Sequence, residues 1–345
     1  MRKQNLLYLF LLTAFAACSP EPGSRTETSS KKPENADNVH TIAFGSCNRQ
    51  DKPQPLWPFI LEEKPDVWIW LGDNIYGDTR DMAVLKGKYE VQKKQPEYSK
   101  LRASTKITGI WDDHDFGIND GGTHYTKKDS SQMLMLDFLD EPAQSPRRKQ
   151  AGAYTSYEYG SGENAVKIFL LDARYHRDTL YRENGQYLPN REGTILGETQ
   201  WKWLEEGLKN STARINLIAS GIQFIPEEHP YEKWANFPAE RQKLLNLIAS
   251  SGVKNPVLLS GDRHIGEVSK IQLNDTLPLH EITCSGLTHT WKEYKDEPNR
   301  YREGKLIVAL HYGVLNIDWE GKIMDFALKG ENGEVFLNQK IGIKN

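Results

Sequence analysis

Three cysteines in 345 residues, Cys18, Cys47 and Cys284, are too few for a disulfide-built scaffold, so a hydrophobic core has to carry the fold. Cys47 and Cys284 can pair in an oxidising compartment, but one bridge would not alter that reading. Runs of one charge are also missing. Against 47 Asp+Glu stand 44 Lys+Arg, a formal net charge of -3, and no basic stripe offers the phosphate-neutralising surface of a nucleic-acid binder. Beyond the N-terminal segment no apolar run approaches the length of a membrane span. Internal repeats are absent, and no second polar linker interrupts the chain after residue 38, which favours one domain.

The N-terminus has a distinct layout. Arg2 and Lys3 form a basic start, Leu6 to Ala17 is almost wholly apolar, and Ala16-Ala17 precedes Cys18. This is the pattern of a secretory signal over 1–18 with a lipobox-like cysteine, although Phe15 stands where a smaller residue is usual. Lipidation is expected at Cys18. Residues 19–38 are mostly Pro, Glu, Ser, Thr, Lys and Gly without a large apolar side chain, a composition that cannot offset its ordering entropy and reads as a disordered tether. The folded body is expected over 39–345. The chain is then an exported, periplasm-facing outer-membrane lipoprotein touching the membrane through its lipid alone, or a secreted or periplasmic protein if unlipidated.

Within the body, apolar runs alternate with helical patterns. Strands are predicted at 40–45, 67–71, 107–111, 153–159, 166–171, 215–219 and 256–259, and helices at 55–63, 89–101, 133–138, 198–208 and 241–250. The C-terminal third reads as strands at 267–273, 280–284, 306–309, 314–319, 323–328 and 335–341, with hairpin signals at Gly321 and Glu331-Asn332-Gly333. Such an order suggests two sheets packed face to face with helices outside.

Four polar segments follow strands: Gly45-Ser46-Cys47, Gly72-Asp73-Asn74-Ile75-Tyr76-Gly77-Asp78, Trp111-Asp112-Asp113-His114-Asp115 and Ser260-Gly261-Asp262-Arg263-His264. Ligands of open α/β sheets gather at strand C-terminal ends, so the four read as one site. Three carboxylates within Asp112 to Asp115 repel one another unless solvated or neutralised by a cation, and a metal centre is one solution. Carboxylates suit Ca²⁺, Mg²⁺ or Mn²⁺, whereas a thiolate and a phenolate favour a transition metal. A mixed cluster accommodates both kinds of donor.

The same segments resemble the alkaline phosphatase D (PhoD-like) family of the metallophosphoesterase superfamily. Gly-Ser-Cys, Gly-Asp-x-x-Tyr, Trp-Asp-Asp-His-Asp and Gly-Asp-x-His occur in order, together with Leu171-Asp172-Ala173-Arg174 and Trp234-Ala235-Asn236-Phe237-Pro238 through Arg241. The resemblance, from about Thr41 to His289, implies a four-layer α/β/β/α sandwich of two mixed sheets and a phosphoester hydrolase using iron and calcium, with zinc or manganese as alternatives. It assigns Cys47 and Tyr76 to iron, makes Asp73 the bridge between two metals, and adds Asp113, Asp262 and His264 as ligands. His114 matches the histidine that contacts the phosphate and protonates the leaving oxygen. No counterpart exists for the upstream histidine of the superfamily's last motif, where Gly221-Ile222-Gln223 stands. A separate N-terminal β domain and a C-terminal helix covering the site are not evident either.

Arg174 can bind a phosphate oxygen, or pair with Asp172 or Asp178. Asn119, Asp120 and His289 are lesser candidates for the site, and Trp234 for a pocket wall. His124, His176, His229, His280 and His311 get a structural reading only. The expected reaction is metal-assisted hydrolysis of a phosphomonoester or phosphodiester, with catalytic roles for Asp73, His114 and Arg174. Competing readings are a phospholipase or phosphodiesterase preferring diesters, a non-catalytic surface lipoprotein capturing phosphorylated or sugar ligands, and a nucleophilic Cys47 with His114 as base.

Overall fold

The computed structural model describes residues 38–293 and 297–344, which belong to one compact unit, Asn35–Asn345. The signal segment, Cys18 and the tether up to residue 37 lie outside the described residues.

The first sheet begins with β1 (Thr41–Gly45), β2 (Val67–Leu71) and β3 (Lys106–Ile110), which run parallel in that order. Val-Trp-Ile-Trp-Leu of β2 is buried throughout, the continuous apolar run expected of a strand covered on both faces. Around its outer face pack α1 (Trp57–Glu62), α2 (Met82–Lys93), α3 (Pro96–Ser104), the single turn α4 (Asp113–Phe116) and α5 (Lys128–Phe138). Trp57 lies 5.0 Å from Trp68 and 5.5 Å from Trp70, and Tyr98 and Phe138 close on Trp70 at 5.5 and 6.0 Å. Trp70 Nε1–H donates to Tyr98 Oη at 3.0 Å, so this aromatic layer leaves the indole satisfied.

The second sheet takes β4 (Thr155–Tyr159) and β5 (Val166–Leu170); β6 (Arg182–Glu183) and β7 (Gln186–Tyr187) form a separate hairpin. After α6 (Gly197–Lys209) come β8 (Ile215–Ser220), α7 (Pro238–Ser250), β9 (Pro256–Ser260), β10 (Gly266–Asn274), β11 (Leu277–Cys284) and β12 (Arg302–Ile307). The strand order is β12-β10-β11-β9-β8-β5-β4, with β5, β8, β9 and β11 parallel. Finally β13 (Tyr312–Asp318), β14 (Ile323–Lys329) and β15 (Val335–Gly342) return to the first sheet as an antiparallel meander beside β1, giving β15-β14-β13-β1-β2-β3.

Side-chain alternation fixes the layers. Ile168, Leu170, Leu217, Ala219, Val257 and Leu259 join the core that contains the first sheet. Their neighbours Phe169, Ile218 and Leu258 point the other way, into a second core with Trp201, Leu204 and Leu208 of α6 and Leu244, Leu245 and Ile248 of α7. The result is the expected helix–sheet–sheet–helix sandwich.

One expected helix is two. The pattern over 89–101 is broken at Gln95, whose backbone is extended (φ -55°, ψ 124°) ahead of Pro96. Proline disfavours a helical residue before it, and Pro96 instead opens α3. Helix α2 also starts earlier than the apolar pattern suggests, capped by Asp81 Oδ1, which accepts from Ala83 N–H at 2.8 Å. Trp234 is a core residue, stacked on Phe224 at 5.2 Å, and does not line a pocket. Cys47 and Cys284 are buried and unbridged, with the Cys284 thiol directed to Phe44 O at 3.6 Å.

Candidate metal centre

Five of the parallel strands deliver polar residues at their C-terminal ends to one place. From β1 comes Cys47, from β2 Asp73 and Tyr76, from β3 Asp112, Asp113 and His114, from β9 Asp262 and His264, and from β11 Ser285 and His289. Close backbone approach lets them meet: a Cβ on Gly261 would sit 2.4 Å from Leu71 O, and one on Gly72, itself at φ +90°, 2.5 Å from Asp112 Cβ. Cys47, Asp73, Asp262 and His264 also hold positive φ (60°, 49°, 68° and 53°), although none is glycine. Strain on this scale persists where the surrounding fold over-determines it, and here it falls on the motif residues.

The donor atoms converge in overlapping sets, each within 4.8 Å: Cys47, Asp73 and His264; Asp73, Asp112, Asp113 and Asp262; Asp73, Asp113 and His114; and Asp113, Asp120 and Glu232. Asp73 belongs to three of them, the position a bridging carboxylate occupies. Its Oδ2 lies 3.5 Å from Cys47 Sγ and 3.4 Å from Tyr76 Oη, longer than ordinary hydrogen bonds to a buried carboxylate. Tyr76 Oη, His264 Nε2 and His289 Nε2 form a triangle with sides of 2.9, 2.9 and 3.2 Å.

Protonation follows from burial and crowding. Burial, then the neighbouring carboxylates, push Asp73 and Asp262 well above the usual range, once the opposing cations are overcome. Burial and the Asp73 charge likewise raise the Cys47 thiol, and burial and Cys47 raise the Tyr76 phenol. Burial, His289 and His114 hold His264 down to about 3; burial, Arg49 and His114 hold His289 down to about 4. Two neutral imidazoles, a thiol, a phenol and surplus carboxylates form a donor set that a cation would complete. Asp112 Oδ2, fully buried and without a hydrogen-bond partner, is a further reason the residues fit a metal.

The acidic run separates into different jobs. Asp115 Oδ1 accepts from Asp112 N–H at 2.7 Å and Oδ2 from Asn74 Nδ2 at 2.6 Å, so it caps the α4 turn. Asp113 accepts backbone N–H groups of His114 and Asp120 at 2.8 and 2.7 Å. Burial opposes its ionisation, but Arg174, His114 and those bonds outweigh it and hold Asp113 at about 2. The His114 side chain, 19% exposed, places Nδ1 2.6 Å from Asp78 Oδ1. Burial would lower it, yet Asp73, Asp113 and Asp78 win and raise it to about 11.

Arg174 departs from expectation. Its side chain is fully buried, with Nε donating to Asp112 Oδ1 at 2.7 Å and Nη1 to Glu232 Oε2 at 2.5 Å. Neither Asp172 nor Asp178 is its ion-pair partner. Asp172 Oδ1 instead accepts backbone N–H groups of Arg174 and Tyr175, because a short carboxylate at a strand end satisfies the turn that follows. With its guanidinium held by two buried carboxylates, Arg174 supports the cluster from beneath. Asn119 is exposed and donates to Asp120, whereas Asp120 belongs to a donor set. Cys47 has no exposed surface and its thiol lies against Ser46, Asp73 and Ser285, a setting for a ligand more than for a nucleophile.

Sequence patterns do not reveal Glu232, which comes from a loop 58 positions from Arg174, or Ser285, whose Oγ lies 3.3 Å from Cys47 Sγ. Gly221 explains why the missing upstream histidine leaves no gap: a Cβ there would meet Asp112 Oδ1 at 2.2 Å.

Comparison with known proteins gives a consistent result. Residues 42–321 match the family model of PhoD-like phosphatases. Alkaline phosphatase D of Bacillus subtilis (strain 168) is 24% identical over 278 residues, which are 68% of this chain and 47% of that protein, so the chain spans about half the length of this curated relative. The solved structure of PhoD superposes with a TM-score of 0.72 at 17% identity, covering 90% of this chain and 70% of that one. A dimetal phosphatase from Danio rerio gives 0.55 at 14% identity over 89% of this chain and all of its own, and GAP50, the anchor in the inner membrane complex of Plasmodium, gives 0.59 at 13% over 90% of both. At such identities the superpositions establish the shared fold. Because the family model spans most of the chain and every residue of the centre from Cys47 to His289, the chain belongs to the PhoD-like phosphatase family.

Proposed function

We propose that the chain is an exported, metal-dependent phosphoester hydrolase whose metals are held by Cys47, Asp73, Tyr76, Asp113, Asp262 and His264. The observation that carries the reading is Asp73, shared between a Cys/His donor set, an all-carboxylate set and a third set with Asp113 and His114. The first set suits iron and the second calcium, with zinc or manganese as the alternatives. Bound there, the metals would supply the positive charge that receives phosphoryl oxygens and would acidify the attacking water.

The chain's own residues do the rest. Asp73 and Asp113 would hold those ions and so set where the substrate's phosphoryl group is received. His114, with Nδ1 2.6 Å from Asp78 Oδ1, delivers a proton to the departing alkoxide. Arg174 keeps Asp112 in register below them. Lipidation at Cys18 would place this centre at a membrane surface; Cys18→Ser should release the protein from the membrane fraction, and unchanged association would contradict the anchor.

Metal analysis of the purified protein, with rates on p-nitrophenyl phosphate and its bis ester, tests the main reading. Turnover that disappears with the metals and returns on reloading is expected, and the ratio of the two rates sets monoester against diester preference. Hydrolysis of neither ester by metal-loaded protein would favour a ligand-capturing role instead.

A further inference from the structure

Arg49 stands at the mouth of the centre without belonging to it. It follows Cys47 by two residues on a turn fastened at both sides. Asn48 N–H donates to Asp73 O at 2.9 Å, and Arg49 N–H donates to Thr288 Oγ1 at 2.8 Å. Asn48 Nδ2 is held in turn by Asn74 O at 3.2 Å and Gln92 Oε1 at 2.7 Å. The backbone is therefore fixed, while the side chain is 37% exposed. Its guanidinium carbon lies 5.0 Å from the centroid of the Tyr76 ring.

Other cations near the cluster are committed. Arg174, Arg177 and Arg263 are buried and paired with Asp112, Glu232 and Glu297, and Lys88 Nζ donates to Tyr76 O and Gly77 O at 3.0 and 2.7 Å. Arg49 pairs with Asp51 at 3.2 Å, but that carboxylate is 52% exposed. A solvated pair of this kind contributes little, so the guanidinium exchanges it readily for a better-placed oxyanion. The side of the centre it occupies is informative. Its guanidinium lies against the Tyr76 ring, whose centroid is 4.1 Å from that of His114, the proton donor to the leaving oxygen. Arg49 thus lies where the alcohol portion of a substrate departs.

We propose that Arg49 is a specificity residue that receives a second oxyanion, so that favoured substrates are phosphoesters whose alcohol portion carries a carboxylate or a further phosphate. This rests on the phosphoesterase reading above and adds the substrate class to it. A planar fork of N–H donors matches either oxyanion with two parallel bonds.

Two substrate pairs test it on the metal-loaded full-length protein: 3-phosphoglycerate against glycerol 3-phosphate for a carboxylate, and fructose 1,6-bisphosphate against fructose 6-phosphate for a phosphate. Wild type should prefer the member carrying the second oxyanion in at least one pair, which also tells the two oxyanions apart. Arg49→Ala should reduce that preference by about tenfold, the lower range for a charge-assisted bond at an exposed position, through KM with kcat nearly unchanged. Arg49→Lys should restore part of it, and raised salt should weaken it in wild type. An equal loss on both members of each pair, or a loss in kcat with metal content intact, would overturn the assignment. So would wild-type turnover with no preference in either pair. Turnover of none of the four esters is a different outcome, because it refutes the phosphoesterase reading itself and the Arg49 assignment with it.

Discussion

Removing the Arg174 side chain should destabilise the protein far more than it alters substrate affinity. In Arg174→Met, Asp112 Oδ1 loses its 2.7 Å donor while Oδ2 already has no hydrogen-bond partner, and Glu232 loses its 2.5 Å donor but keeps the Arg177 ion pair at 2.8 Å. Breaking a buried pair from one side typically costs about 3–5 kcal/mol. Burial, opposed by Arg174, already raises Asp112 to about 7, so in the variant it can take up a proton and relieve part of that cost. The lower end, roughly 3 kcal/mol, is expected at neutral pH. At about 1.6 °C per kcal/mol for about 300 folded residues, the melting temperature should fall by about 5 °C. The sign of the pH dependence follows. A carboxyl whose folded value is raised gives up stability as pH rises through that value, so the deficit should widen from pH 6 to pH 9. Thermal and urea denaturation of metal-loaded wild type, Arg174→Met and Arg174→Lys measure it, with lysine intermediate because it keeps the charge but not the fork. A methionine variant melting within about 1 °C of wild type, with KM raised tenfold, would refute the buried pairing and restore the phosphate contact expected from sequence.

Further outcomes are expected elsewhere. His114→Ala should slow an alkyl phosphate by on the order of 10²–10⁴ while p-nitrophenyl phosphate, whose phenolate leaves readily, loses far less; equal slowing with metals retained would leave only an electrostatic contact for His114. Cys47→Ser should abolish any visible thiolate- or phenolate-to-iron band and most turnover, whereas a colourless, iron-free and fully active wild type would point to zinc or manganese. Chelation should lower the melting temperature, because ions at about 1,000 times their dissociation constant stabilise by about 4 kcal/mol, and an unchanged melt would contradict metal binding to the folded state. Acid should weaken the fold through His311, which burial holds down to about 4 while Ser285 N–H donates to its Nε2 at 3.2 Å. Its contribution is complete above about pH 6.5 and disappears as pH falls towards 4, up to about 3 kcal/mol. His311→Gln should flatten urea stability between pH 7 and pH 5, and an unaltered slope would exclude this histidine as the cause.

Much of the layering was legible because both sheets have parallel strands covered on both faces, and such strands announce themselves as short apolar runs. Val67–Leu71 has the same bounds in sequence and structure, and the α6 face Trp201, Leu204 and Leu208 is buried as its spacing suggests. Boundaries failed where chemistry other than periodicity decides them, as at Asp81 and at Gln95-Pro96. The motif residues were legible because each directly follows a strand. What supports them was not. Glu232 approaches Arg174 from a loop without periodicity, and Ser285 is one serine among many until β11 pairs in parallel with β9 and brings it to Cys47. His289 looked minor in sequence because its contact with Tyr76 spans 213 positions. The splitting of Asp112, Asp113 and Asp115 among arginine partner, cluster face and helix cap needs the α4 turn, which four residues of sequence do not declare.

Anomalous diffraction from crystals of the active protein, recorded across the iron, zinc and manganese edges, would show which ions Cys47 and Asp73 hold. A transition-metal peak is expected in bonding distance of Cys47 Sγ, about 2.3 Å for a metal–thiolate bond, with Tyr76 and His264 around it and a second ion between Asp73 and the other carboxylates. Crystals of protein that turns over phosphoesters without added metal, yet show no ion at Cys47 and Asp73, would contradict that expectation.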